Sequence, residues 1–273
     1  MRIFIILLFF LPVAAFAQKN TYQQLAEKAI ESIEKDSLRQ AEKLLNQALA
    51  LEPKNQKNAM LFSNLGLVQR RLGDYNKALE SYTYALNFAP LSIPILLDRA
   101  AIYMEVGKTD LAYYDYCKVL DESKDNKEAL LMRASVYMFR HDYNAAYIDY
   151  NRLLELDPSN YQAQLGLVSL HQNEKKFKEA LELLNKMLLE RPEDATLYMV
   201  RANIEVDMEH SDLALIDLDE AIRLDPKSPT AYILRGNVYL KEKKKALAKI
   251  DFEKALALGV PQSEMRDLLQ QCK

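Results

Sequence analysis

The sequence predicts an all-α fold, an α-solenoid of stacked antiparallel helix pairs with a 34-residue period. Three observations predict it. Six alanines, Ala78, Ala112, Ala146, Ala180, Ala214 and Ala248, recur at an unbroken spacing of 34 residues. Within each interval, apolar residues fall at helical spacing on two successive segments. Proline closes four intervals, at Pro90, Pro158, Pro192 and Pro226. A fixed period of this length means one supersecondary unit stacked on copies of itself, each burying the face that its neighbour exposes.

In chain order, the first element is a leader. Arg2 supplies a short positive region, Ile3 to Leu11 is an apolar run too short for a comfortable membrane span, and Ala15-Phe16-Ala17 gives a small-x-small cleavage site. The expectation is a cleavable signal peptide over residues 1–17, with export to the periplasm of a Gram-negative bacterium, or secretion. The alternative is an N-terminal anchor helix. No cysteine follows the apolar run to carry a lipid, and the absence of an Asn-x-Ser/Thr sequon fits a bacterial envelope.

Residues 18–58 hold a divergent first repeat at about 22–55, carrying Ala41, Leu45, Ala48 and Pro53 but offset by three extra residues. Six contiguous units follow: 59–92, 93–126, 127–160, 161–194, 195–228 and 229–262. Lys127–Asn160 shows the plan. Leu130, Ala134 and Tyr137 form one helical face, Arg140-His141-Asp142 a polar turn, and Ala146, Tyr150, Leu153 and Leu154 a second face. Asp157-Pro158 ends the unit, since proline disfavours helical geometry in the residue before it. Residues 263–273 read as a polar capping helix.

Registering the units on the alanines aligns the other columns. Gly66, Ala100, Ala134, Ala202 and Gly236 keep one first-helix column small. Phe62, Leu96, Leu130, Tyr198 and Tyr232 fill another, and Tyr82, Tyr116, Tyr150, Leu184, Leu218 and Phe252 fill one on the second helix. Alternation of small and large lets facing helices interdigitate. Unit 161–194 departs with Gln164, Val168 and His171 at three core columns, and unit 93–126 has Lys124 where the proline belongs.

The unit resembles the tetratricopeptide repeat, whose pattern is matched best by Phe62, Leu65-Gly66, Gly73, Tyr75, Ala78, Tyr82, Ala85 and Pro90. The resemblance covers nearly the whole chain after the leader. It implies a right-handed superhelix whose first helices line a concave groove that holds a peptide or a helix of another protein. Carried across unit by unit, the groove positions are Leu97 and Met104; Leu131, Met132, Ser135, Met138 and Phe139; and Leu165 and Ser169. The last two units add Met199, Asn203 and Val206, then Ile233, Asn237 and Leu240. Methionine suits apolar ligands of variable shape, and Asn203 and Asn237 suit the backbone of an extended peptide. Against this, Met or Leu at helical spacing is more often core. Leu97, Leu131 and Met199 stand where some relatives place lysines that clamp a terminal carboxylate, so that mode looks absent.

Arg99, Arg133, Arg201 and Arg235 share a first-helix column, and Asp115, Asp149, Asp217 and Asp251 share a second-helix column in the same four units. Unit 161–194 has Leu167 and Leu183 at these columns, and unit 59–92 has Leu65 and Ser81. Pairing between units would strand Asp149 against Leu167 and Arg201 against Leu183. Pairing within a unit strands neither, so intra-repeat salt bridges are expected rather than an anion-binding row.

Tyr114, Ile148, Ile216 and Ile250 form an outward column on the second helices, beside a tyrosine-rich run that includes Tyr113, Tyr116, Tyr143, Tyr147 and Tyr150. Packing between neighbouring second helices is the expectation there, with a homodimer contact or a glycan face as the alternatives. The net charge of −3, with both signs mixed, argues against nucleic acid or an anionic membrane as partner. The basic run Lys241 to Lys249 falls at a helix–helix turn. Nothing after the leader is apolar enough to span a bilayer. Cys117 and Cys272 are more than four repeats apart and are expected not to pair, which leaves a bridge between chains through Cys272 as the alternative.

His141, His171 and His210 lie in different units with no second ligand at metal spacing, and no phosphate loop, Gly-x-Ser-x-Gly or His-Glu-x-x-His occurs. His171 and Glu205, in one column of adjacent units, are placed to touch. No enzyme activity and no cofactor are expected. The function expected is a protein-binding scaffold of the bacterial envelope. A self-assembling structural protein is the second reading, and a solute- or glycan-binding protein the third.

Overall fold

The structure is a computed structural model that describes residues 21–273; the expected signal peptide, 1–17, lies outside the described residues. Helices are the sole regular elements among these residues. The chain divides into two compact units, one ending at Lys124 and the other beginning at Asp125. The first holds α1 (Tyr22–Glu34), α2 (Leu38–Leu51), α3 (Asn58–Arg71), α4 (Tyr75–Phe88), α5 (Ile93–Glu105) and α6 (Thr109–Glu122). The second holds α7 (Lys127–Phe139), α8 (Tyr143–Leu156), α9 (Tyr161–Asn173), α10 (Phe177–Glu190) and α11 (Ala195–Asp207). It continues with α12 (Ser211–Leu224), α13 (Pro229–Lys241), α14 (Lys245–Ala257) and α15 (Gln262–Gln271).

Odd and even helices up to α14 pair as hairpins, and each hairpin packs on the next within its unit; α15 lies on α14. This is an all-α solenoid arrangement. First helices of successive hairpins also touch one another, α1 on α3 and α3 on α5 in the first unit, α7 on α9 and α11 on α13 in the second. The first helices therefore form the inner side of each stack.

One turn closes every hairpin. The residue after the first-helix C-cap has a positive φ, and the next N–H donates back to the carbonyl five residues earlier. Asp74 N to Gln69 O (2.8 Å) and His210 N to Glu205 O (2.8 Å) are two instances. This is the Schellman arrangement, which satisfies the last helical carbonyls. Gly73 and Gly107 take the left-handed conformation at no steric cost, whereas Asp36, His141, Lys175, Glu209 and Lys243 adopt it with a side chain.

Polar caps start several first helices. Asn126 and Asn160 accept from the N–H of Ala129 and Ala163 at 2.9 and 3.0 Å. Asn160→Ala is expected to destabilise the α9–α10 hairpin by about 1 kcal/mol, read as faster amide exchange confined to α9.

The six alanines of the 34-residue period are all 0% exposed, because the two helices of a hairpin cross there. Small and large columns meet within each hairpin. A Cβ on Gly66 would lie 2.8 Å from the Tyr82 ring, and one on Gly236 would lie 2.6 Å from the Phe252 ring. In the irregular α9–α10 hairpin the pair is Val168 and Leu184, both fully buried in one cluster. A larger first-helix residue is matched there by a smaller second-helix one. Gln164 is half satisfied, its Oε1 being buried without a hydrogen-bond partner. Its Nε2 donates to Pro158 O at 3.0 Å, the bond that Tyr198 and Tyr232 make to Pro192 O and Pro226 O from the same column.

Candidate protein-binding surface

In the first unit, Leu97 and Met104 are half-buried on α5. In the second unit, Leu131, Met132, Ser135 and Met138 are half-buried on α7, and Phe139 at its end is 71% exposed. One column then runs along the first helices as Leu131, Leu165, Met199 and Ile233, all half-buried. A second column lies one helical turn further on. It is polar and increasingly exposed: Ser135 half-buried, then Ser169, Asn203 and Asn237 exposed. Val206 and Leu240 are half-buried near the far ends of α11 and α13. Leu165, Met199, Val206, Ile233 and Leu240 also pack against the core clusters beneath them. The surface thus combines an apolar rail, partly core, with a solvated hydrogen-bonding rail.

Four bidentate ion pairs pin the hairpins beneath this surface. Each arginine binds the aspartate sixteen residues later, in its own hairpin. Arg99 Nε and Nη2 donate to Asp115 at 2.8 and 2.7 Å, and Arg133 to Asp149 at 2.8 and 2.8 Å. Arg201 binds Asp217 at 2.8 and 2.6 Å, and Arg235 binds Asp251 at 2.9 and 2.7 Å. The four aspartates are at most 5% exposed. Hydrogen bonding to Asp217 raises the pKa of Arg201, and bonding to Asp251 raises that of Arg235 further.

The third guanidinium nitrogen reaches sixteen residues back. Arg99 Nη1 donates to Thr83 Oγ1 (3.1 Å), Arg201 Nη1 to Asn185 Oδ1 (2.7 Å) and Arg235 Nη1 to Asp219 Oδ1 (2.6 Å). Each of these arginines therefore ties its hairpin to the second helix before it. Sequence reasoning missed this link. Its signal is a polar residue at minus sixteen, mirroring the aspartate at plus sixteen. Aromatic rings lie under the same guanidinium groups, Tyr103 at 5.7 Å from Arg99 and Tyr239 at 5.9 Å from Arg235. Glu205 replaces that aromatic on α11, where Arg201 keeps only the ring of Tyr198, at 5.5 Å, equivalent to Tyr232 at 5.7 Å from Arg235.

Two expectations change. His171 packs edge-on against Tyr147, with centroids 6.3 Å apart, and Glu205 Oε2 lies 2.8 Å from His210 Nδ1, so the expected contact of His171 with Glu205 gives way to these partners. Tyr114, Ile148, Ile216 and Ile250 are 60, 67, 64 and 61% exposed, not packed between second helices. Cys272 is half-buried in the last core cluster, its Sγ 3.3 Å from Leu268 O and its pKa raised by burial. No described helix is long and apolar enough to cross a membrane.

Profiles of the tetratricopeptide repeat match residues 27–93, 140–204 and 229–258. A tetratricopeptide repeat protein from Parabacteroides merdae is 33% identical, covers 92% of this chain and 98% of its own, and superposes with a TM-score of 0.79. The chain belongs to the tetratricopeptide repeat family. Its repeats also resemble YrrB, described as a tetratricopeptide repeat protein with an unusual peptide-binding site, at 20% identity over 68% of this chain and 95% of that one, with a TM-score of 0.55. Among curated proteins, DnaJ homolog subfamily C member 7 of Homo sapiens is 34% identical over 91 residues, 32% of this chain. The chain spans only 18% of that relative's length. Membership in this family makes protein partners the expected ligands of the repeat array.

Proposed function

We propose that this tetratricopeptide repeat protein is a non-enzymatic adaptor of the bacterial cell envelope that holds a peptide or a helix of a partner protein against its first-helix face. The observation that supports the reading is the pairing of rails in the second unit. Leu131, Leu165, Met199 and Ile233 offer apolar contact, and Ser169, Asn203 and Asn237 stand exposed one turn away. An extended segment lying across α9, α11 and α13 buries alternate side chains on the first rail and bonds its backbone to the second. The peptide-binding site described for YrrB is in keeping with this use of the fold. Hairpins and the terminal helix fill residues 22–271, as expected of a chain built to present a binding surface. The apolar run before Ala15-Phe16-Ala17 is in keeping with export, and the Parabacteroides relative with a bacterial source.

Cross-linking pull-downs from envelope extract test the surface. Phe139→Glu, at a position already 71% exposed, and Asn203→Ala with Asn237→Ala are expected to lower capture of the main partner about tenfold or more. Undiminished capture by both variants overturns the groove. Export is tested separately, by fractionation and N-terminal sequencing of the processed chain, with Gln18 as the expected first residue. An unprocessed cytoplasmic chain overturns the envelope role.

A further inference from the structure

Leu213 and Ile216 on α12 are 50 and 64% exposed, and Leu247 and Ile250 on α14 are 44 and 61% exposed. These four large apolar side chains occupy equivalent positions one period apart. Their two helices both pack on α13, which links them. The Arg235 guanidinium holds Asp219 of α12 and Asp251 of α14 together, and Ile222 of α12 packs in the cluster formed by Ala248, Phe252 and Ala255 of α14. As second helices of successive hairpins, α12 and α14 run in the same direction. On α10 the equivalent positions are Glu179 and Glu182, both exposed, so charge bounds the apolar face on that side.

The turns that lead into these two helices carry opposite charge. The turn before α12 has Asp207, Glu209 and Asp212, with His210 as its one basic type. The turn before α14 has Lys241, Lys243, Lys244 and Lys245 against Glu242. Glu209, Asp212 and these five residues are exposed.

We propose that this face binds a second copy of the chain, through a two-fold axis lying between α12 and α14 and parallel to them. That operation sets α12 of one copy on α14 of the other, in the same direction and at the same level. Leu213 and Ile216 then meet the partner's Leu247 and Ile250, twice over. The acidic turn of each copy meets the lysine-rich turn of its partner at both edges. A two-fold axis across the helices instead lays α12 on α12 and α14 on α14 and leaves both turns without their complement, so the charge pattern selects the first arrangement. A face built on two helices of about 20 Å length buries about 1,000 Å² in total, at the lower end for specific association. The dimer is therefore reversible and concentration-dependent. It uses the face opposite the proposed groove and does not rest on it.

Sedimentation equilibrium of the purified full chain over a wide concentration series tests the interface. The wild type is expected to move between monomer and dimer. Ile216→Glu is expected to weaken association about a hundredfold, by forcing a carboxylate into the apolar contact. Its circular dichroism is expected to be unchanged, because Ile216 is exposed in the monomer. Asp212→Lys and Lys245→Glu each weaken it about tenfold, and the double variant recovers the wild-type constant. A chain monomeric at every concentration, or association untouched by Ile216→Glu, overturns the proposal. Sensitivity to Ile216→Glu without recovery in the charge-swap pair overturns the crossed arrangement.

Discussion

Arg235→Leu is expected to destabilise the C-terminal hairpin by about 3–5 kcal/mol, the cost of leaving a buried charge without its partner. Asp251 is 2% exposed, and its two oxygens take two of the three acidic bonds that Arg235 makes. The companion variant is Arg235→Leu with Asp251→Leu. It reproduces the α9–α10 hairpin, where Leu167 is buried and Leu183 half-buried at the same two columns, and it is expected to recover most of the loss. Array proteins do not unfold in one step, so the readout is residue-resolved amide exchange over α13, α14 and α15 in increasing urea. A single variant within 1 kcal/mol of the wild type refutes a structural role for the pair.

Gly236→Val is expected to cost about 3 kcal/mol. The new Cβ falls 2.6 Å from Cε1 of Phe252, whose ring is 0% exposed. Adding Phe252→Leu recreates the Val168 and Leu184 pair found two hairpins earlier. The double variant is expected to be more stable than Gly236→Val alone, with a remaining deficit because Phe252 also packs in the cluster of Tyr232, Ala255 and Met265. Thermal unfolding followed by near-ultraviolet dichroism reads both changes. Additive destabilisation by the two substitutions contradicts the proposed complementarity of the columns.

The helical array was readable because its cause is periodic: a face buried by a copy of itself must repeat with the copy. The choice of partner for Arg99, Arg133, Arg201 and Arg235 was readable for a related reason. A buried charge whose partner is removed is costly, so the two columns change together, and the geometry has the same pairing. The backward link left no such trace, since Thr83, Asn185 and Asp219 differ in chemistry and each tolerates loss of its arginine at the surface. The outer column misled for a geometric reason. First helices touch from hairpin to hairpin on the inner side, the second helices diverge, and Ile216 and Ile250 are left uncovered. The rivalry for Glu205 was decided by the tight turn, which brings His210 to 2.8 Å from the carboxylate. Ring position of that kind depends on backbone geometry that a column of letters does not contain.

The backward bonds give the second unit a graded elasticity. Where α11 follows α10, the tie is the neutral amide of Asn185 at 2.7 Å; where α13 follows α12, it is the carboxylate of Asp219 at 2.6 Å. Both bonds have an ionised donor, and the second adds an ionised acceptor, a modest extra attraction at an exposed carboxylate. A load that opens this unit therefore parts α10 from α11 before it parts α12 from α13. Of these two junctions, the one beside the irregular hairpin is the more loosely tied, like a spring wound from wire of uneven gauge.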